Sequence, residues 1–222
     1  MLTVGEWEAL RLSALVGLGA TLVVMPPAIA LGWLIASTSS RWKTIVDTAL
    51  LLPLVLPPVV TGYGLLLLFG RRGPLGPALD ALGLPVVFTW RACVIASAVM
   101  AFPLAYRACR LAFEELDRRL PAVARTLGAS RTDAFFTITL PLARGGVLSA
   151  MVLAFARSVG EFGATIVLAG NIEGETRTLP VAVFQEMQSR GVEGVWRLAV
   201  LCVLLATGAL IASELLARRV RR

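Results

Sequence analysis

The chain has 222 residues, 57% of them hydrophobic and only 16% charged, and carries a net charge of +7. Soluble domains hold about 25% charged residues, and here the apolar residues gather into charge-free runs of 29 residues (12–40) and 23 residues (48–70), which excludes an ordinary soluble domain. There is no histidine, and the three cysteines (Cys93, Cys109, Cys202) form no Cys-x-x-Cys pair, so neither a zinc site nor a disulfide framework is indicated. The basic residues form no dense patch with interleaved aromatics, which argues against a nucleic-acid partner.

About 20 apolar residues cross a bilayer as a helix, because each adds about 1.5 Å. The first predicted span covers about 12–36. Its start holds Glu6 and Glu8 against Arg11, and its apolar run is far longer than a signal-peptide core, so it reads as an uncleaved span. Met25-Pro26-Pro27 is expected to kink or split it. The second span, about 48–69, carries Pro53, Pro57, Pro58, Gly62 and Gly64. Breaks of that kind are tolerated at membrane depth only where neighbours or water satisfy the freed backbone groups. Pro57, Pro58 and Gly62 are therefore compatible with a bent, pathway-lining helix and equally with a structural kink. The third span is about 87–106, with Arg91 near one end, where it can snorkel. The fourth, about 145–169, is interrupted by Arg157 and Glu161. The fifth is about 198–217. Together these spans make residues 1–222 a single transmembrane domain.

Orientation follows from the distribution of basic residues. With the N-terminus outside, the inner segments hold 13 of the 21 Lys and Arg residues. These are Arg41 and Lys43; Arg107, Arg110, Arg118, Arg119, Arg125, Arg131 and Arg144; and Arg218, Arg219, Arg221 and Arg222. The favoured arrangement is N-out and C-in, with Arg71 and Arg72 as an outer pair in dissent. That pair suits an anionic ligand, a binding protein or a plain solvated loop. The segment at about 114–141 then lies in the cytoplasm. Pro121 suits the first turn of a helix, Gly128 the position just past its end, and Ser130 with Asp133 a capping box opening a second helix. Pro141 is expected to stop that second piece. Two short helices hinged at a glycine describe a docking element or an interfacial amphipathic hairpin.

Arg157 and Glu161 lie four apart on one helical face, and each is costly if left bare in lipid. They read either as an intrahelical ion pair or as groups flanking a gate. Gly160, Gly163 and Ala164 permit close helix approach or simple packing. Segment 171–197 carries Glu173, Glu175, Glu186 and Glu193 around the apolar piece LPVAVF, and is expected to dip into the mouth of a pathway. A P-loop needs GxxxxGK[ST], and the single lysine, Lys43, follows Arg41-Trp42 with no glycine-rich loop. The chain is thus read as a transport subunit and not an enzyme.

Gly128, nine residues, then Ile138-Thr139-Leu140-Pro141 resembles the cytoplasmic loop of ABC-importer permeases. The family's pattern is Glu-Ala-Ala, three residues, Gly, nine residues, Ile-x-Leu-Pro. Here the first triplet is Ala122-Val123-Ala124, so the family's glutamate is absent. LPLVLPPVVTGYGLL (52–66), FGRRGPLG (69–76) and VLAFARSVGEFGATIVLAGNIEGETRTLP (152–180) resemble the molybdate permease family, over nearly the whole chain. The resemblance implies an all-α integral membrane protein of the type I ABC-importer permease class, with about five spans and a coupling-helix loop. It implies an inner-membrane homodimer, two ATP-binding cassette subunits docked on the cytoplasmic side, and an extracytoplasmic oxyanion-binding protein. ATP and Mg are then used by the partner ATPase, and this chain binds no cofactor. The loop residues expected to couple are Leu120, Ala122, Ala124, Leu127, Gly128, Ala129, Phe135, Ile138, Leu140 and Pro141. The gate or pathway candidates are Pro57, Pro58, Gly62, Arg157, Gly160, Glu161 and Gly163. Tungstate and sulfate, tetrahedral dianions like molybdate, are the alternative cargoes. An intramembrane enzyme would need convergent nucleophiles or ligands in the spans. A plain membrane anchor would leave the patterned loop unexplained.

Overall fold

The computed structural model describes residues 3–38, 42–117, 119–190 and 195–221, with backbone alone at 190 and 213–221. Arg41, Arg118, Glu193 and Arg222 lie outside the described residues, as do the side chains of Arg218, Arg219 and Arg221. The described chain is helical throughout: α1 (Val4–Ala36), α2 (Lys43–Val55), α3 (Pro58–Phe69), α4 (Gly76–Ala81), α5 (Trp90–Glu114), α6 (Arg119–Thr126), α7 (Arg131–Ala134), a π turn (Phe135–Thr139), α8 (Leu140–Val159), α9 (Gly163–Leu168), α10 (Leu179–Arg190) and α11 (Trp196–Arg221).

The centre of the molecule is α5. Its buried residues include Ala92, Ala96, Ala98, Ala101, Ala105 and Ala112. Such small side chains let helix backbones approach closely where lipid provides no hydrophobic drive between helices. Helices α1 and α8 pack against α5 and against each other; α9 lies against α3 and α5, and α10 and α11 add a second, smaller core with Ala9. The surface is the reverse of a soluble protein's. Leu15, Leu18, Leu22 and Val23 on α1, and Val203, Leu204 and Ile211 on α11, all face outward. An exposed apolar area of that extent belongs against lipid or another subunit.

Among the described residues, three helical units are long and apolar enough to cross a membrane: α1, α5, and the continuous stretch Arg131–Val159. A fourth results if α2 and α3, bent by 106° at Leu56-Pro57, form one broken span. The fifth predicted span falls on α11 (Trp196–Arg221), and Trp196–Ala212 is apolar.

Two sequence expectations about proline are corrected. Of the kink or split expected at Met25-Pro26-Pro27, the split does not occur; α1 runs unbroken from a Thr3–Glu6 capping box to Ala36. Both prolines fall on its outward face, while Val24, Met25 and Ala28 keep the inner face packed. Pro141 does not stop the second loop helix either. It sits in the first turn of α8, which the π turn joins to α7. A proline in a regular helix presses its ring on the carbonyl four residues back. Here the turn just ahead of it is widened, with the Leu140 N–H reaching the Phe135 carbonyl five residues back, so the helix continues through.

Candidate functional site: a docking loop and two broken spans

At one end of the bundle, α6 closes in a Schellman turn. The Ala129 N–H donates to the Ala124 carbonyl and the Gly128 N–H to the Arg125 carbonyl, both at 3.1 Å. Gly128 has φ +97°, a conformation that costs a residue with a Cβ about 1–2 kcal/mol. Ser130 then opens α7: its Oγ accepts from the Asp133 N–H at 3.0 Å, and Asp133 accepts from the Ser130 N–H at 3.2 Å. The hinge and the second start thus lie where the sequence puts them.

The loop residues divide into two sets. Leu120, Val123 and Leu127 are exposed, Leu127 to 84%. Their i, i+3, i+7 spacing makes one apolar stripe along α6 and the turn that closes it. Ala122, Gly128 and Pro141 are exposed as well, and Ala124 and Ala129 are half-buried. Phe135, in contrast, is buried, with ring centroids 4.6 Å from Trp33 and 6.1 Å from Phe113. Ile138 and Leu140 are half-buried beside it. This second set fastens the loop to α1 and α5 and leaves the α6 stripe free. Val123 and Phe136, the latter 60% exposed, were missed in the sequence, although the helical spacing already pointed to Val123.

In mid-bundle, the second halves of the two broken stretches pack on each other. A Cβ on Gly62 of α3 would lie 2.8 Å from the Ala164 Cα, and one on Gly163 of α9 would lie 2.7 Å from the Pro58 Cβ. Neither distance is tolerable, so glycine is required at both crossings. Pro58, Gly62 and Gly163 therefore form one helix contact. Pro57 stands at the bend just before it. Gly160 is not part of it; a Cβ there would meet nothing closer than 3.7 Å, and the residue simply ends α8.

Glu161 occupies the break between α8 and α9 and is 2% exposed. One carboxylate oxygen pairs with Arg157 Nη1 at 2.6 Å, and the other accepts the Ala164 N–H at 2.8 Å. A bare carboxylate at membrane depth costs several kcal/mol. Here it neutralises a cation and satisfies a helix-start N–H that the break exposes. The ion-pair reading accounts for Arg157 and Glu161, and the capping role is an addition that the four-residue spacing alone did not suggest.

A further ionic network was not anticipated. Asp47 of α2 accepts from both the Tyr106 hydroxyl and Arg110 Nη1 of α5. Glu114 accepts from Arg110 Nε at 3.0 Å and Lys43 Nζ at 2.8 Å. No residue of α2 is buried, so these bonds are its principal polar attachment to the bundle.

At the end opposite α6, segment 171–178 is pinned to the core. The Ile172 N–H donates to Thr176 Oγ1 at 2.9 Å, and the Leu179 N–H to Ser13 Oγ of α1 at 2.7 Å. Arg177 Nε reaches Asn171 at 2.7 Å, and Asn171 reaches Gln185 at 2.9 Å. A cavity of about 870 Å³ beside it is lined by Glu6, Glu173, Glu186, Arg177 and Arg197. The LPVAVF piece forms the first half of α10, with Leu179 and Val181 fully buried and the Phe184 ring tilted against Phe162, centroids 4.9 Å apart.

A multi-span helical bundle with an exposed, glycine-hinged loop helix at one end has the architecture of an importer permease. The family model described as "binding-protein-dependent transport system inner membrane component" matches residues 28–222, and the chain belongs to that family. It is 50% identical over 220 residues to the molybdenum transport system permease protein ModB of Escherichia coli K12, covering 98% of this chain and 96% of that one. It is 45% identical over 219 residues to ModB of Haemophilus influenzae, with the same coverages of 98% and 96%. Among solved structures, an inward-facing MetNI methionine ABC transporter chain superposes with TM-score 0.71 at 19% identity, covering 98% of this chain and 95% of that one. A chain of the bacterial alginate ABC transporter, in complex with its pentasaccharide-bound periplasmic protein, gives 0.76 at 16% identity, with coverages of 98% and 80%. At those identities the likeness shows the fold. The chain is a membrane-spanning permease of an ABC importer.

Proposed function

We propose that this chain forms half of the pathway of a molybdate importer, working as a homodimer. The observation that carries the cargo is the 50% identity over 98% of the chain to a molybdenum permease. Two ATP-binding cassette subunits dock on the α6 stripe of Leu120, Val123 and Leu127, with Gly128 setting the angle between α6 and α7. The distribution of basic residues supports a cytoplasmic α6 end, an outer N-terminus and an inner C-terminus. An extracytoplasmic binding protein delivers the anion at the other end, near Glu173 and Arg177.

In this mechanism ATP and Mg belong to the partner. Nucleotide binding draws the two ATPases together, and the docked loops follow. The spans tilt and the central pathway opens outward; hydrolysis resets it. The α3–α9 contact moves as a unit, with Glu161 and Arg157 keeping the break between α8 and α9 neutral. No covalent chemistry takes place in the chain itself.

The test is uptake of radiolabelled molybdate into proteoliposomes holding the permease, its ATPase and its binding protein. ATP-dependent molybdate uptake, resistant to excess sulfate, is the expected result. Uptake that sulfate abolishes at equal concentration would replace molybdate by sulfate as the cargo. Tungstate competition measures how far the pathway separates two dianions of nearly the same shape.

A further inference from the structure

Behind α6, on the side away from the exposed stripe, lies a cavity of about 360 Å³. Its floor is aromatic, formed by Trp33 of α1, Phe113 of α5 and Phe135 of the π turn. Its rim is charged: Arg125 of α6, Arg131 of α7, and Asp117 just after α5. Neither guanidinium has a carboxylate partner among the described residues, and one oxygen of Asp117 already accepts the Arg119 N–H at 2.9 Å. The rim therefore carries net positive charge. Leu34 and Leu142, 54% and 51% exposed, also line the cavity and open it toward the apolar surface of α1 and α8.

We propose that this cavity holds the headgroup and first acyl carbons of an anionic glycerophospholipid. The arginines face the phosphodiester, and the aromatic floor takes the methylenes. Three features select a lipid over a free anion or a soluble metabolite. The cavity sits at the C-terminal ends of α1 and α5 and the first turn of α8. Its mouth is bordered by the exposed leucines Leu34 and Leu142. Its lining passes from cationic to apolar over one small volume. Basic pockets between spans on the cytoplasmic side recognise anionic headgroups on the same physical grounds. Because Arg125 and Arg131 stand on either side of the Gly128 turn, such a lipid tethers both loop helices to the bilayer. This goes beyond the proposed transport function and does not depend on the cargo.

The test uses the full chain in lipid nanodiscs, in a variant retaining Trp33 as its only tryptophan. Quenching of Trp33 is titrated with brominated phosphatidylglycerol and, separately, brominated phosphatidylcholine. One surface arginine contributes roughly fivefold to anionic-lipid preference, so the pair gives about 25-fold for phosphatidylglycerol. Arg125→Gln with Arg131→Gln should bring that preference near parity. Asp117→Asn, which removes the opposing charge, should raise it about fivefold and serves if the double variant does not fold. Equal quenching by the two lipids overturns the proposal, as does a preference that neither change alters. Displacement of the quencher by millimolar inorganic phosphate would make this a free-anion site and also overturn it.

Discussion

Gly128→Val is the sharpest perturbation of the loop proposed to dock the ATPase. The glycine has φ +97°, and a Cβ there would meet nothing within 4 Å. The Cβ itself therefore adds no crowding, and the penalty is chiefly backbone conformation. A β-branched residue held at positive φ costs about 1–3 kcal/mol, which is roughly a 5- to 150-fold loss in the population of the native turn. The exposed loop has few contacts with which to resist, so the chain relieves the strain by rotating α6 relative to α7 rather than by unfolding. The expected outcome is an assembled complex that hydrolyses ATP with little transport. Gly128→Asn, which tolerates left-handed backbone, should retain most coupling, and Gly128→Ala should fall between. The assay is anion transported per ATP hydrolysed in proteoliposomes. Wild-type coupling by the valine variant, or asparagine as damaging as valine, refutes the hinge.

The α3–α9 contact gives a paired test within one motif. Gly62→Ala should cost about 1–3 kcal/mol through overpacking against Ala164, whereas Gly64→Ala, which meets nothing within 4 Å, should leave thermal unfolding unchanged. Glu161→Ala removes both an ion pair and a helix-start acceptor and should destabilise by about 1–3 kcal/mol. Glu161→Gln keeps an acceptor for the Ala164 N–H and should lose less, as read from melting in the same nanodiscs. Asp47→Ala should loosen α2 selectively, so that hydrogen exchange speeds up across 43–55 while α5 stays protected.

What was legible in the sequence was local chemistry with one solution. The glycine past the end of α6, the Ser130-x-x-Asp133 pair and the Pro57-Pro58 break in the second apolar run each specify their own backbone, and each lies where the sequence puts it. Arg157 and Glu161 were legible as a pair because four residues bring them to one face. What was not legible depended on neighbours. The prolines at 26 and 27 look like breakers until α5 and α8 are seen to occupy the opposite face of α1. Pro141 looks like a stop until the π turn ahead of it is known. Asp47 meets Tyr106 and Arg110 across about 60 residues of chain, a separation no spacing rule reaches. Val123 stands outside the loop residues expected to couple, and it joins the apolar stripe through its i+3 spacing from Leu120.

The widened turn before Pro141 has a mechanical meaning. By letting the helix pass the proline, it joins the docking loop to α8 as one unbroken member of 29 residues, Arg131–Val159. At about 1.5 Å per residue that is about 43 Å of helix, enough to cross the bilayer. Had the proline ended the loop helix, a displacement at the loop would have been absorbed in a flexible joint at the membrane surface. On the docking proposed above, it would instead travel the length of a pushrod to the gap at Gly160, where Glu161 clips the next helix on.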